Sequence, residues 1–132
     1  MGWLNVASST LFLSNAAVAH ALNQRLYSAL FLVLTATSWG AHWGAQGALI
    51  RIVKRIDKVM VYAVVGYGAY YMLEKGPSMQ NAFYWVVTLL TTTLTAVLYF
   101  GGACFDPEYG VTYHAYLHAL SSLAHHAILA MV

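Results

Sequence analysis

Between Tyr113 and His126 the chain reads YHAYLHALSSLAHH, an apolar segment that carries four of the six histidines in 132 residues. His114 and His118 are four residues apart, so on a helix their imidazoles stand on one face, about one turn apart, and can address a single point. His125 and His126 lie about 16 Å further along such a helix, too far to share a metal ion with His114. One histidine in a helix is ordinarily a satisfied core residue. Four in a segment otherwise compatible with lipid indicate a site, because polar side chains at membrane depth are costly.

Composition decides the solvent around that helix. The chain is 61% hydrophobic and 8% charged, with a mean hydropathy of +0.63, whereas an ordinary soluble domain is roughly 25% charged. The expectation is an all-α integral membrane protein, a single transmembrane helical domain over residues 1–132, with membrane lipid as its immediate partner. Six basic and four acidic side chains give a formal charge of +2. That is too few for a nucleic-acid-binding face, so no nucleic-acid partner is expected. The single cysteine, Cys104, excludes an internal disulfide and any multi-cysteine zinc or iron–sulfur site. Histidine and carboxylate are left as metal ligands.

A spanning helix needs about 20 mostly apolar residues, and five such segments follow one another, over about 3–22, 26–44, 57–73, 79–102 and 111–132. Asn23-Gln24-Arg25, Glu74-Lys75-Gly76-Pro77 and the stretch from Cys104 to Gly110 separate them. Ala17-Val18-Ala19 resembles a signal-peptide cleavage site, but no basic side chain precedes it, so the first segment reads as a retained helix. Val6 stands where myristoylation needs Ser or Thr. Trp39 and Trp43 suit a membrane interface, and Gly40 and Gly44 suit close helix packing. From Ala45 to Lys58 an amphipathic stretch puts Arg51, Lys54, Arg55 and Lys58 on one face. It reads foremost as a topogenic charge cluster, with anionic-lipid binding as the functional alternative. Asp57 opens the third span, and its ordinary role would be an ion pair with a neighbouring base. The threonines of the fourth span are expected to bond back to their own helix.

With five spans the chain alternates sides, so helix ends can be matched by parity. The second span ends, the third begins, and the fifth begins on the side of the N-terminus. His42, Asp57, His114 and His118 therefore belong to one side, although they are scattered in sequence. Arg51, Lys54, Arg55 and Lys58 lie there too, against Arg25 and Lys75 on the other side. The excess of positive charge predicts a cytoplasmic, or matrix-side, N-terminus. Three imidazoles from two helices fit a catalytic zinc site that keeps a fourth position open. Asp57 would orient or deprotonate water there, and Ser38, four residues before His42, would hold a carbonyl oxygen or a developing oxyanion.

Ser38-x-x-x-His42 at the end of one span, Asp57 at the start of the next and His114-x-x-x-His118 opening the last resemble the membrane hydrolase superfamily that includes alkaline ceramidases and the progestin and adiponectin receptors. The layout is most similar to the myomaker and transmembrane-protein-8 branch. The resemblance implies an intramembrane zinc ion on His42, His114 and His118 with Ser38 and Asp57 beside it. It further implies a lipid amide or ester as substrate, or a role in membrane remodelling. Members of that superfamily usually have seven helices. Two fewer between the Asp57 and His114 helices would preserve parity while leaving the walls of a substrate cavity to a homo-oligomer or a larger membrane complex.

A second reading is a small anchor subunit of a respiratory or photosynthetic complex, holding a b-type haem or simply filling space. It would pair His42 with His114 or His118, and His20 with His125 or His126. The run His42-Trp43-Gly44 is similar to the small membrane anchors of succinate dehydrogenase. In a third reading the histidines only hydrogen-bond across helices.

Overall fold

A computed structural model describes residues 2–44 and 46–132. Six α-helices, α1 (Trp3–Ser9), α2 (Phe12–Ala21), α3 (Arg25–Trp39), α4 (Gly47–Lys75), α5 (Ala82–Phe100) and α6 (Gly110–Leu129), are joined by a π-helix over Gly40–Gly44 and a 3₁₀ turn over Ala103–Phe105. The fold is all-α, as expected.

The first apolar segment is broken into α1 and α2. Ser9 and Thr10 both turn their hydroxyls back onto the carbonyl of Val6, at 2.9 and 3.0 Å. Leu11, Leu13 and Ser14 tighten to i−3 bonds on Ser8, Thr10 and Leu11. Back-bonding hydroxyls and a 3₁₀-like turn in mid-helix are recognised causes of a bend. The second segment ends as foreseen at Gly44, but its last turn is π-helical. The amphipathic stretch and the third span are one continuous α4 of 29 residues, about 43 Å long at about 1.5 Å per residue. Ala45, where the basic stretch begins in the sequence, lies outside the described residues.

α3 packs between α2 and α4, and α6 packs against α1, α2, α5 and the 3₁₀ turn, while α4 touches α6 only lightly. α3 and α6 also meet directly, Tyr27 and Phe31 packing against His125. The core is built from Phe12, Tyr27, Phe31, Leu34, Val64 and Ile128. Polar groups share that interior and are paired across helices. Asn15 Nδ2 donates to the carbonyl of Ser122 at 3.0 Å, and Ser122 Oγ donates to Asn15 Oδ1 at 2.7 Å. Ser28 Oγ donates to the carbonyl of Ala16. At the opposite end Asn81 accepts from Val132 N, and its Nδ2 reaches the carbonyls of Val132 and Gly76.

The outer surface is the reverse. On α5, Phe83, Val86, Leu89, Leu90, Val97 and Phe100 are exposed, while Thr88 and Thr91 are buried. Thr91, Thr93 and Thr95 do bond back to the carbonyls four residues earlier. Among the described residues one helix, α5, is long and apolar enough to cross a membrane. The remaining segments depart from that standard for visible reasons. α1 and α2 are split, α3 has 15 residues before it becomes π-helical, α4 carries four bases and Asp57 in its first half, and four histidines dilute α6.

Candidate metal centre

His114 and His118 project from the second and third turns of α6, as their spacing requires. His42 arrives from the other side of the bundle on the π-helix. In a regular helix Ser38 and His42 would share a face; the wider π turn instead lets them serve different neighbours. Gly40 lets α4 lie close to this turn, since a Cβ there would stand 3.1 Å from Val53 Cγ1. Insertions of this kind are often found at functional sites.

The three imidazoles converge. Their nearest ligand atoms all lie within 4.8 Å of one another, and the ring centroids are 4.8 Å apart for His42 and His114, 5.6 Å for His42 and His118, and 4.7 Å for His114 and His118. All three ring pairs meet edge to face. His118 is buried, and its partners are half-buried. The sequence-derived trio is therefore close enough to hold a metal ion, whose identity the geometry leaves open.

Ser38 and Asp57 join as a second layer. Ser38 is buried and its Oγ donates to Asp57 Oδ1 at 2.9 Å. Thr37 Oγ1 lies 2.9 Å from the same oxygen and 3.0 Å from the carbonyl of Leu34. The expected ion pair of Asp57 is thus replaced by two hydroxyls. The carboxylate is near enough to His114 for their charges to interact, yet it stands outside the trio of converging ligands. Ser38, proposed from sequence as an oxyanion partner, has its single proton directed at Asp57.

Two participants were not legible in the sequence. One is Thr37, next to Ser38. The other is Ser8, whose Oγ lies 2.7 Å from His118 Nδ1 across 110 residues. The available signal for Ser8 was a set of polar residues, Asn5, Ser8 and Ser9, at helical spacing in a segment otherwise suited to lipid. A cleft of about 400 Å3, lined by Gly2, Trp3, Val6, Ala7, His42 and Trp43, leads to His42 from outside.

The remaining histidines are elsewhere. His20 is exposed at the end of α2. His125 is buried, bonded through Nδ1 to the Tyr27 hydroxyl and set edge-on to Tyr27 and Phe31. A Cβ on Gly68 would come within 2.8 Å of His125 Cε1, so the space beside that ring is filled. His126 Nε2 is 2.8 Å from Ser14 Oγ. Neither takes His20 as a partner.

No family model, no curated protein and no solved structure matches the chain.

The residues present fit a zinc ion on their own chemistry. Tetrahedral zinc at about 2.0–2.1 Å from each nitrogen would need ligand atoms roughly 3.3 Å apart, a modest contraction of the observed cluster. The bond of Ser8 to Nδ1 leaves the outer nitrogen of His118 for a ligand, the arrangement usual for metal-bound histidine. On α1, which also carries Ser8, the buried acceptor Asn5 Oδ1 has no hydrogen-bond partner among the described residues.

Proposed function

We propose that this protein is a multi-pass membrane protein with an intramembrane zinc site on His42, His114 and His118, acting on a lipid amide or ester bond. The observation that carries the reading is the convergence of those three imidazoles beside an aspartate held by Ser38 and Thr37. Five helical segments, a polar interior and an apolar exterior support placement in a bilayer, where interhelical hydrogen bonds and lipid-facing apolar side chains replace the soluble pattern. Crossing five times, with the N-terminus cytoplasmic, follows from parity and from the basic cluster on α4.

Bound zinc supplies a Lewis acid and lowers the pKa of water to about 7. The chain's own residues do the rest. Asp57, held by two hydroxyls, accepts a proton from water and returns it to a leaving amine or alcohol. The cleft at His42 opens between Trp3 and Trp43, and the apolar walls of the bundle admit an acyl chain sideways from the bilayer.

Metal analysis of the purified protein and of His118→Ala tests the site: about one zinc per wild-type chain and a clear loss in the variant are expected. Zinc undiminished in the variant would sink the proposed ligand set. Incubation of the zinc-loaded protein with ceramide and with a glycerophospholipid then tests the reaction. Release of fatty acid from either supports hydrolysis, whereas zinc without any product moves the reading to the membrane-remodelling branch.

A further inference from the structure

Ser8 carries one hydroxyl proton and two short contacts. Its Oγ lies 3.2 Å from the carbonyl of Asn5, to which it can donate, and 2.7 Å from His118 Nδ1, a contact whose donor depends on the imidazole tautomer. In the tautomer that carries its proton on Nδ1, His118 donates to Ser8 and keeps its Nε2 lone pair free. The same helix runs alongside the whole cluster. Gly2, at its start, is so close to His42 that a Cβ would fall 2.0 Å from the His42 carbonyl oxygen, and Ser8, two turns on, meets His118. Asn5 sits between them and shares a face with Ser8 at i, i+3. Its side chain is only 6% exposed, and its Oδ1 has no hydrogen-bond partner. Burying an amide oxygen without a donor is unfavourable, and a donor arriving at the centre would remove that cost.

We infer that α1 is a working wall of the metal centre: Ser8 positions His118 to offer Nε2, and Asn5 Oδ1 receives a hydrogen bond from the water or substrate group at the centre's open position. The inference rests on the metal reading above and adds two residues to it. Neither Asn5 nor Ser8 belongs to the motif that suggested the site.

Zinc affinity by chelator competition separates this from a purely structural role. The isosteric pair Ser8→Thr and Ser8→Val isolates the hydroxyl: Thr is expected to bind like wild type, and Val about 10–100-fold more weakly, the usual effect of losing an outer partner of a metal ligand. Ser14→Ala removes the equivalent contact on His126 and is expected to leave affinity unchanged. Asn5→Leu is expected to raise the melting temperature of the metal-free protein while weakening zinc binding about tenfold. Equal affinities for the Thr and Val variants, or an Asn5→Leu protein that is more stable with zinc affinity intact, overturn the inference for that residue and leave the metal site standing. A wild-type protein that binds no zinc overturns both.

Discussion

Ser38 and Asp57 face each other across α3 and α4 with 2.9 Å between Ser38 Oγ and Asp57 Oδ1, and Thr37 reaches the same oxygen at the same distance. Two hydroxyls on one carboxylate oxygen fix its direction without neutralising it. The other oxygen is left for chemistry. Asp57→Ala is accordingly expected to lose lipid hydrolysis by about 10²–10⁴-fold, the range for a removed general base, with zinc content unchanged. Loss of zinc together with activity would make Asp57 a ligand instead.

Thr37 and Ser38 divide the work of holding that carboxylate. The double variant Thr37→Val with Ser38→Ala is expected to lose more activity than the sum of the two single losses, because one hydroxyl still orients the carboxylate in each single variant. Measured as initial rates at equal zinc loading, strictly additive losses would argue that the two hydroxyls act independently of Asp57.

Gly68 gives α4 its approach to the Tyr27–His125 pair. A Cβ at this position would lie 2.8 Å from both His125 Cε1 and the Tyr27 hydroxyl oxygen, and both rings are buried. Gly68→Ala is expected to destabilise by about 1–3 kcal/mol, as over-packing commonly does. A thermal melt in detergent checks this. An unchanged melting temperature would mean that the rings can give way.

Asn81 ties the α4–α5 turn to the C-terminal residue through Val132 N, Val132 O and Gly76 O. Asn81→Leu strands those groups and is expected to cost roughly 1–3 kcal/mol. Proteolysis at the C-terminus should accelerate in the variant while the zinc content stays the same, since the clamp lies at the end of α6 opposite His114 and His118.

Cys104 sits in the turn between α5 and α6, partly buried, and burial pushes its thiol pKa up. At neutral pH it therefore holds less thiolate than a free cysteine. Maleimide labelling should be slow at pH 7 and reach half its maximal rate at a higher pH than free cysteine does. On the proposed topology a membrane-impermeant reagent reaches it only from the cytoplasmic side. Labelling from outside intact cells would reverse the orientation.

The sequence by itself determined the helical class, five apolar segments close to their observed positions, and the trio His42, His114 and His118. The physical reason is that hydropathy and helical spacing are local properties, and that the alternation of successive helices can be counted. The rise of the helix also separated His125 and His126 from His114, and the structure gives that second pair its own partners, Tyr27 and Ser14. What only the tertiary structure decided depends on how helices bend and which hydroxyl meets which neighbour. The break at Thr10, the π turn at Gly40–Gly44 and the union of the basic stretch with the third span arise from side-chain to backbone bonds and packing that no periodicity encodes. Asp57 exchanged an expected ion pair for Thr37 and Ser38 because the geometry of α3 delivered two hydroxyls to it. Ser8 reached His118 across 110 residues, a contact visible only once α1 is laid against α6.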